Sequence, residues 1–230
     1  MTVSVPEDAR MEIKFVGYAV NYETVYHAIK THPIGFIVPY PDRKVNNVYF
    51  DTFDYSALAE NLSGVSDRTK VRYRWYGDSE APASGALEVK CKRNYFGWKL
   101  RYNIRNLNTR SKATWREIRR ALTEQAPPEA KQWLDINPQP VIINRYYRNY
   151  FVSADGKMRA TIDTQQAVWD QRYTARPNFN LKASLPETLV VEFKFDRALA
   201  DEANRLLQGF PIRVSRHSKY VNGALAIQDY

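Results

Sequence analysis

The 230-residue chain carries 34 Lys and Arg against 25 Asp and Glu, a net charge of +9, and 44% of it is hydrophobic, enough for a sizeable core. The positive balance points to an anionic partner: nucleic acid, a membrane surface or a phosphorylated small molecule. One cysteine, Cys91, excludes an internal disulfide, and no apolar run reaches the roughly 20 residues that span a bilayer. Residues 1–10 have no apolar stretch and include Glu7 and Asp8, against a secretory signal, so a soluble cytoplasmic protein is expected.

Residues 11–17 alternate and read as a strand; 21–31 read as a helix closed by Pro33. A second strand covers 45–51, and Asp54 is the expected cap of a short helix to Leu62, with Gly64 beyond it. Residues 68–76 form a long strand, 77–85 a polar loop with Pro82, and 86–93 with 98–104 a hairpin around Asn94-Tyr95-Phe96-Gly97. Ser111 is the expected cap of a helix with Trp115, Ile118 and Leu122 at helical spacing; Pro127-Pro128 ends it and opens a second helix to Ile136. Strands resume at 141–152, and Asp155-Gly156 marks a turn into a return strand at 157–163. A further strand is expected at 167–172, then a loop at 176–186 and a strand at 188–195. Asp196 is the expected cap of a helix to Leu207, followed by a short strand at 211–215 and a terminal helix at 217–227. Antiparallel strands with helices at corners predict an α+β fold. No linker separates two cores, so residues 1–230 read as a single domain, with a helical insert at about 109–138 as a lobe.

The strands share one property. Successive side chains on a strand point to opposite faces. Arg10, Glu12 and Lys14 oppose Met11, Ile13 and Phe15. Asn47, Tyr49 and Asp51 oppose Val48 and Phe50; Lys70, Arg72 and Arg74 oppose Val71, Tyr73 and Trp75. Glu88, Lys90 and Lys92 oppose Val89 and Cys91; Lys99 and Arg101 oppose Trp98, Leu100 and Tyr102. Tyr146 shares a face with Arg148, Arg159 with Thr161 and Asp163, and Glu192 with Lys194 and Asp196. Solvation accounts for any one such face. Recurrence in strand after strand, opposite large aromatic faces, points to a closed antiparallel barrel with a charged bore. Guanidinium forks match phosphate oxygens, and interspersed carboxylates limit self-repulsion and offer hard oxygen ligands to Mg²⁺ or Mn²⁺.

These motifs, in this order, resemble the VTC-type polyphosphate polymerase domain, within the CYTH-like triphosphate tunnel metalloenzymes. They are Arg10-x-Glu12-x-Lys14, residues 45–52 (VNNVYFDT), residues 70–77 (KVRYRWYG) and residues 87–92 (LEVKCK), followed by Tyr146-x-Arg148, Arg159-x-Thr161-x-Asp163, Val191-Glu192-Phe193-Lys194 and Ser218-Lys219-Tyr220. The resemblance covers nearly the whole chain. It implies a closed eight-stranded β-barrel, a triphosphate tunnel, that transfers the terminal phosphate of ATP to polyphosphate. By matching positions it implies Lys14, Arg72, Arg74, Lys90, Arg148, Arg159 and Lys194 as catalytic cations, with Lys92, Lys99, Arg101, Ser218 and Lys219 binding substrate. Glu192 is the first choice for a divalent metal ligand, with Glu12 and Glu88 behind it. Hydrolytic tunnel enzymes usually begin Glu-x-Glu-x-Lys; Arg10 in the first position favours a polymerase or a binding protein over a hydrolase. The chain shows neither the membrane segments nor the sensor domain of the eukaryotic polymerase, and the resemblance leaves room for a membrane-protein partner that receives product.

Phosphoryl transfer asks mainly for alignment and charge neutralisation, and a polyphosphate terminus is already ionised, so no strong general base is needed. In agreement, no Ser-His-Asp pattern, glycine-rich phosphate loop or zinc pattern is present. His27, His32 and His217 are expected at the surface or in helix packing, and Cys91, opposite the lysines, in the core. Tripolyphosphate or nucleoside triphosphate hydrolysis, and binding without turnover, are the alternatives. Nucleic acid is not expected: Tyr146-Tyr147-Arg148-Asn149-Tyr150-Phe151 reads better as a half-buried strand than as a stacking platform, and such a surface has no use for regularly placed carboxylates.

Overall fold

Eight antiparallel strands form one sheet in the computed structural model, which describes residues 5–7, 9–80, 84–105, 107 and 112–228. They are β1 (Met11–Tyr18), β2 (Arg43–Asp51), β3 (Asp67–Tyr76), β4 (Gly85–Arg93), β5 (Phe96–Ile104), β6 (Gln139–Val152), β7 (Met158–Asp170) and β8 (Thr188–Phe195). Their order is β1-β8-β7-β6-β2-β3-β4-β5. The α-helices among the described residues are α1 (Tyr22–Lys30), α2 (Ser56–Leu62), α3 (Trp115–Gln125), α4 (Pro128–Ile136), α5 (Ala200–Leu206) and α6 (Lys219–Ala226). None of them is long and apolar enough to cross a membrane.

The expected closed barrel needs one correction. The ladders are continuous from β1 round to β5, but these two edge strands meet only at the Arg10–Gly97 bridge, through two N–H···O bonds of 3.3 Å. Gly97 sits at the hairpin end of β5, so the strand meets β1 at its first residues only. Beyond them, Lys99 and Arg101 are the kind of charged residue that keeps a sheet edge unpaired.

The alternation sorts the layers. The outward apolar side chains of β2, β3 and β4, including Val48, Val71 and Val89, pack with Trp115, Ile118, Leu122, Trp133 and Leu134 of α3 and α4. On another flank, Phe15, Val191 and Phe193 pack with Val25 and Ile29 of α1 and Ala203 of α5. Each fully buried large apolar side chain contributes about 1.5–3 kcal/mol. Cys91 belongs to the outer core, as expected, and burial lifts its thiol to about 11.

Helix α6 differs: it packs on the inner face, against Tyr49, Ile142 and Val168. Tyr220 stacks on Tyr49 at 5.1 Å, and its hydroxyl donates to Asp51. A Cβ at Gly223 would stand 2.7 Å from Ile142 Cδ1, so glycine is what lets the helix lie this close.

Several local expectations also change. The strands expected at 157–163 and 167–172 are one strand, β7, carried past an irregularity at Gln165 (φ 52). Residues 211–215 contribute only an isolated Phe15–Val214 bridge. Asp54 does not cap α2. Asp51 accepts from Ala57 N and Leu58 N, Thr52 Oγ1 accepts from Ser56 N, and Tyr55 occupies the cap position at φ 59. Ser111 lies outside the described residues, and the cap of α3 is Thr114, which forms a capping box with Glu117. Asp196 makes no capping hydrogen bond; a 3₁₀ turn precedes α5.

Candidate active site

Side chains from strands that are not neighbours in the sheet touch across its interior. Lys90 Nζ of β4 lies 3.6 Å from Glu12 of β1. Arg74 of β3 donates to the Tyr146 hydroxyl of β6 at 3.1 Å. Lys219 of α6 lies 2.5 Å from Asp163 of β7. On an outer, convex surface these side chains would diverge. They converge because the inner-face positions of each strand, read through the ladder registers, all look into one bore.

Three carboxylate-centred clusters line it. Glu88, 1% exposed, takes two hydrogen bonds from Arg72 (2.9 and 2.7 Å) and one from Lys99 (2.7 Å), with Arg74 at 3.7 Å. Burial would raise its pKa, yet Arg72, Arg74 and Lys99 hold it far below the usual carboxylate range. Arg72 also donates to Tyr49 at 3.0 Å, and Arg74 to Asn47 at 2.8 Å. Asp163, fully buried, takes two bonds from Arg148 (2.6 and 2.7 Å). Burial opposes its charge, but Arg148 and Lys219 hold it at about 2.

The third cluster is the least saturated. Lys14 donates to Glu12 at 2.8 Å, and Lys194 Nζ stands 2.8 Å from Glu192 and 4.0 Å from Glu12. The Glu12 and Glu192 carboxylates lie close enough for each to influence the other's charge. Burial disfavours the charge on Glu192, yet Lys194, Lys14 and Lys90 push its pKa well down. Glu12 lifts Lys90, but Lys14, burial and Lys194 outweigh it and bring that ammonium down to about 7. Burial, Lys90 and Lys14 depress Lys70 as well; its Nζ donates to Asn61 at 2.7 Å and Ser218 at 3.2 Å. The cations outnumber the carboxylates Glu12, Glu88, Asp163 and Glu192 and crowd one another. A polyanion relieves such a bore.

Glu12 and Glu192 are the carboxylates that would hold a divalent cation here. Glu192 is 7% exposed, and its Oε1, 2.8 Å from Lys194 Nζ, lies out of line for a hydrogen bond to it. Two carboxylates suit a hard cation that takes its other ligands from phosphate and water. Among the described residues no group of three or more His, Cys, Asp or Glu is placed to hold a metal, so the protein alone makes no complete cage.

Of the residues singled out from sequence, the bore brings together Glu12, Lys14, Arg72, Arg74, Glu88, Lys90, Lys99, Arg148, Glu192, Lys194, Ser218 and Lys219. Lys92, half-buried, and Arg101 and Arg159, exposed, share the inner face by register but join none of these clusters. Both oxygens of Glu88 accept hydrogen bonds from cations, whereas the close cation contact of Glu192 is Lys194 against Oε1. Sequence reading assigned no role to Asp163, Lys70, Tyr49 or Tyr146, although the alternation marks all four as inward-facing. His217, expected at the surface or in helix packing, follows the lysines inward: its carbonyl accepts from Lys14 at 3.4 Å. Burial, Lys219 and Lys14 lower its imidazole to about 4.

His217 and Asp163 set an expected pH response. Between pH 6.5 and about 4 the unfolded chain binds a proton at His217 and the folded one does not, so stability falls as pH drops through that window. The slope is about 1.4 kcal/mol per pH unit at most. Asp163 adds a second loss as pH falls from 3.8 to about 2. Urea melts at pH 7, 5 and 4 check the first window, and His217→Phe should flatten it.

Comparison with solved structures returns the same architecture. HpAC1 from Hippeastrum, a protein assigned as an adenylyl cyclase and showing a dominant triphosphatase activity, matches at a TM-score of 0.54 and 12% identity, over 92% of both chains. The PH1819 protein of Pyrococcus horikoshii matches at a TM-score of 0.50 and 11% identity, over 96% of this chain and 99% of that one. At such identities the likeness is one of fold alone. No curated protein matches the sequence. The VTC domain model matches residues 9–228, and with the motif order and the basic bore in agreement, the chain belongs to the VTC domain family.

Proposed function

We propose that this protein is a polyphosphate polymerase-type phosphotransferase, moving the γ-phosphate of ATP onto a polyphosphate chain inside the basic bore. The supporting observation is the meeting of Glu12, Lys14, Lys90, Glu192 and Lys194, from three strands, amid a surplus of positive charge. Lys14, Arg72, Arg74, Lys90, Arg148, Arg159 and Lys194 neutralise the equatorial phosphate oxygens and hold donor and acceptor in line. Lys92, Lys99, Arg101, Ser218 and Lys219 hold the flanking phosphates. The terminal oxygen of polyphosphate forms a bond to the γ-phosphorus, and the bond to the β,γ-bridging oxygen breaks, its electron pair leaving with ADP. Glu12 and Glu192 would hold Mg²⁺ or Mn²⁺, which supplies further charge neutralisation on the phosphates. Glu88 serves as counter-ion to Arg72 and Lys99 rather than as a ligand. We read residues 1–230 as one functional unit, with α3 and α4 as a supporting lobe. ATP as donor and the lone, buried cysteine support a cytoplasmic setting.

Triphosphate hydrolysis is the second reading, favoured by the activity of HpAC1 on the same fold. Incubation with ATP and Mn²⁺ or Mg²⁺ separates them. Long polyphosphate on a gel is the expected result. Orthophosphate without chains assigns a hydrolase, and tight triphosphate binding without either product assigns a binding protein.

A further inference from the structure

At one end of the bore the inner-face pattern turns from lysines and carboxylates to tyrosines. Arg43 on β2, Tyr76 on β3 and Tyr150 on β6 hold inner-face positions, each two residues along its strand from Val45, Arg74 and Arg148 respectively. Tyr40, just before β2, joins them. The Arg43 guanidinium carbon lies 5.4 Å from the ring centre of Tyr40, 5.6 Å from that of Tyr76 and 5.8 Å from that of Tyr150. The Tyr40 and Tyr150 rings meet edge to face at 6.0 Å.

Two properties set this group apart from ordinary strand-end packing. Arg43 has no carboxylate partner among the described residues, whereas Arg72, Arg74 and Arg148 are paired. The rings are also left open: Tyr40 is 56% and Tyr76 40% exposed. Packing alone would bury them, and solvation alone would not gather three rings about one cation. The group is continuous with the phosphate-facing cations. The Arg148 guanidinium, held by Asp163, lies 6.0 Å from the Tyr150 ring and 5.2 Å from Tyr146.

We propose that Tyr40, Arg43, Tyr76 and Tyr150 form a collar that stacks the base of a nucleoside triphosphate whose phosphates lie in the bore. This rests on the triphosphate-binding reading above and deepens it. Ring faces and an unpaired guanidinium are what a nucleobase takes from protein: stacking on its π-face and a cation beside it. The geometry suits the ligand. One inner-face step, roughly 7 Å along a strand, separates Tyr76 from Arg74 and Tyr150 from Arg148. A ribose bridges such a step between an α-phosphate on the arginines and a base on the tyrosines. Stacking reads surface area rather than hydrogen-bond pattern, so purines are preferred to pyrimidines and adenine is not singled out from guanine.

Calorimetric titration of the full chain with ATP, UTP and inorganic tripolyphosphate, each with Mn²⁺, tests the collar. Tripolyphosphate carries the phosphates without a base. Tyr76→Ala combined with Tyr40→Ala should weaken ATP about 10-fold, weaken UTP less, and shift tripolyphosphate less than about 2-fold. Tyr76→Phe keeps the ring and should keep ATP affinity. Equal losses for ATP and tripolyphosphate, or no loss for ATP, would overturn the collar and leave the tunnel reading intact. Failure of the unaltered chain to bind any of the three would overturn both.

Discussion

Glu192→Gln is expected to reduce metal-dependent turnover by roughly 100-fold or more, the scale of losing a direct ligand to a catalytic cation. The substitution keeps the side chain's shape and removes its charge. Glu192 Oε1 lies 2.8 Å from Lys194 Nζ, and an amide there keeps the volume while losing the charge that a cation needs. Lys194, Lys14 and Lys90 remain, now facing less negative charge. Metal-free binding of tripolyphosphate should therefore persist or tighten while turnover is lost. Activity across a Mn²⁺ titration, read beside calorimetric binding without metal, separates the two effects. Full turnover at saturating Mn²⁺ would remove Glu192 from the site. Parallel loss of binding and turnover would make it a folding residue instead.

Asp163→Asn should cost about 3–5 kcal/mol of stability, the range for breaking a buried ion pair from one side. Asp163 is fully buried and neutralises both Arg148 and Lys219. Without its charge, two cations stay in the interior, and Lys219 loses its ion pair with β7. Removing the opposite charge is milder: Lys219→Met leaves Asp163 still paired with Arg148. The comparison of urea midpoints for the two variants checks the asymmetry. A second expectation follows from the same change. Added polyphosphate should restore much of the lost midpoint in Asp163→Asn, because an external anion replaces the missing counter-ion. A midpoint unchanged from the parent would show that Asp163 does not carry this role.

The period of two was the legible part. It places Glu12, Lys14, Arg72, Glu88, Lys90, Glu192 and Lys194 on one face of their strands, and the registers bring those faces together. What periodicity does not encode is the third dimension. Nothing in 217–227 says that α6 lies inside the sheet rather than outside, since its apolar and polar residues would suit either side; the close approach at Gly223 decides it. Nor does alternation say which carboxylate is saturated. Glu88 and Glu192 each have a lysine two residues on, yet cross-strand Arg72 and Lys99 satisfy only the first. The capping of α2 escaped for a similar reason. Asp54 is adjacent to the helix, but Asp51, still in β2, accepts from its amides. The single strand β7 reads as two because Gln165 interrupts the alternation without ending the ladder.

The inward seat of α6 has a consequence for how a polymer would be handled. Tyr220, Gly223 and the lead-in at His217 and Ser218 touch β1, β2, β3, β6 and β7 from within. With α6 seated there, that stretch of the inner face is covered by protein rather than open to a ligand. A chain of phosphates held in the bore, as proposed, would have to end short of this helix or run past it.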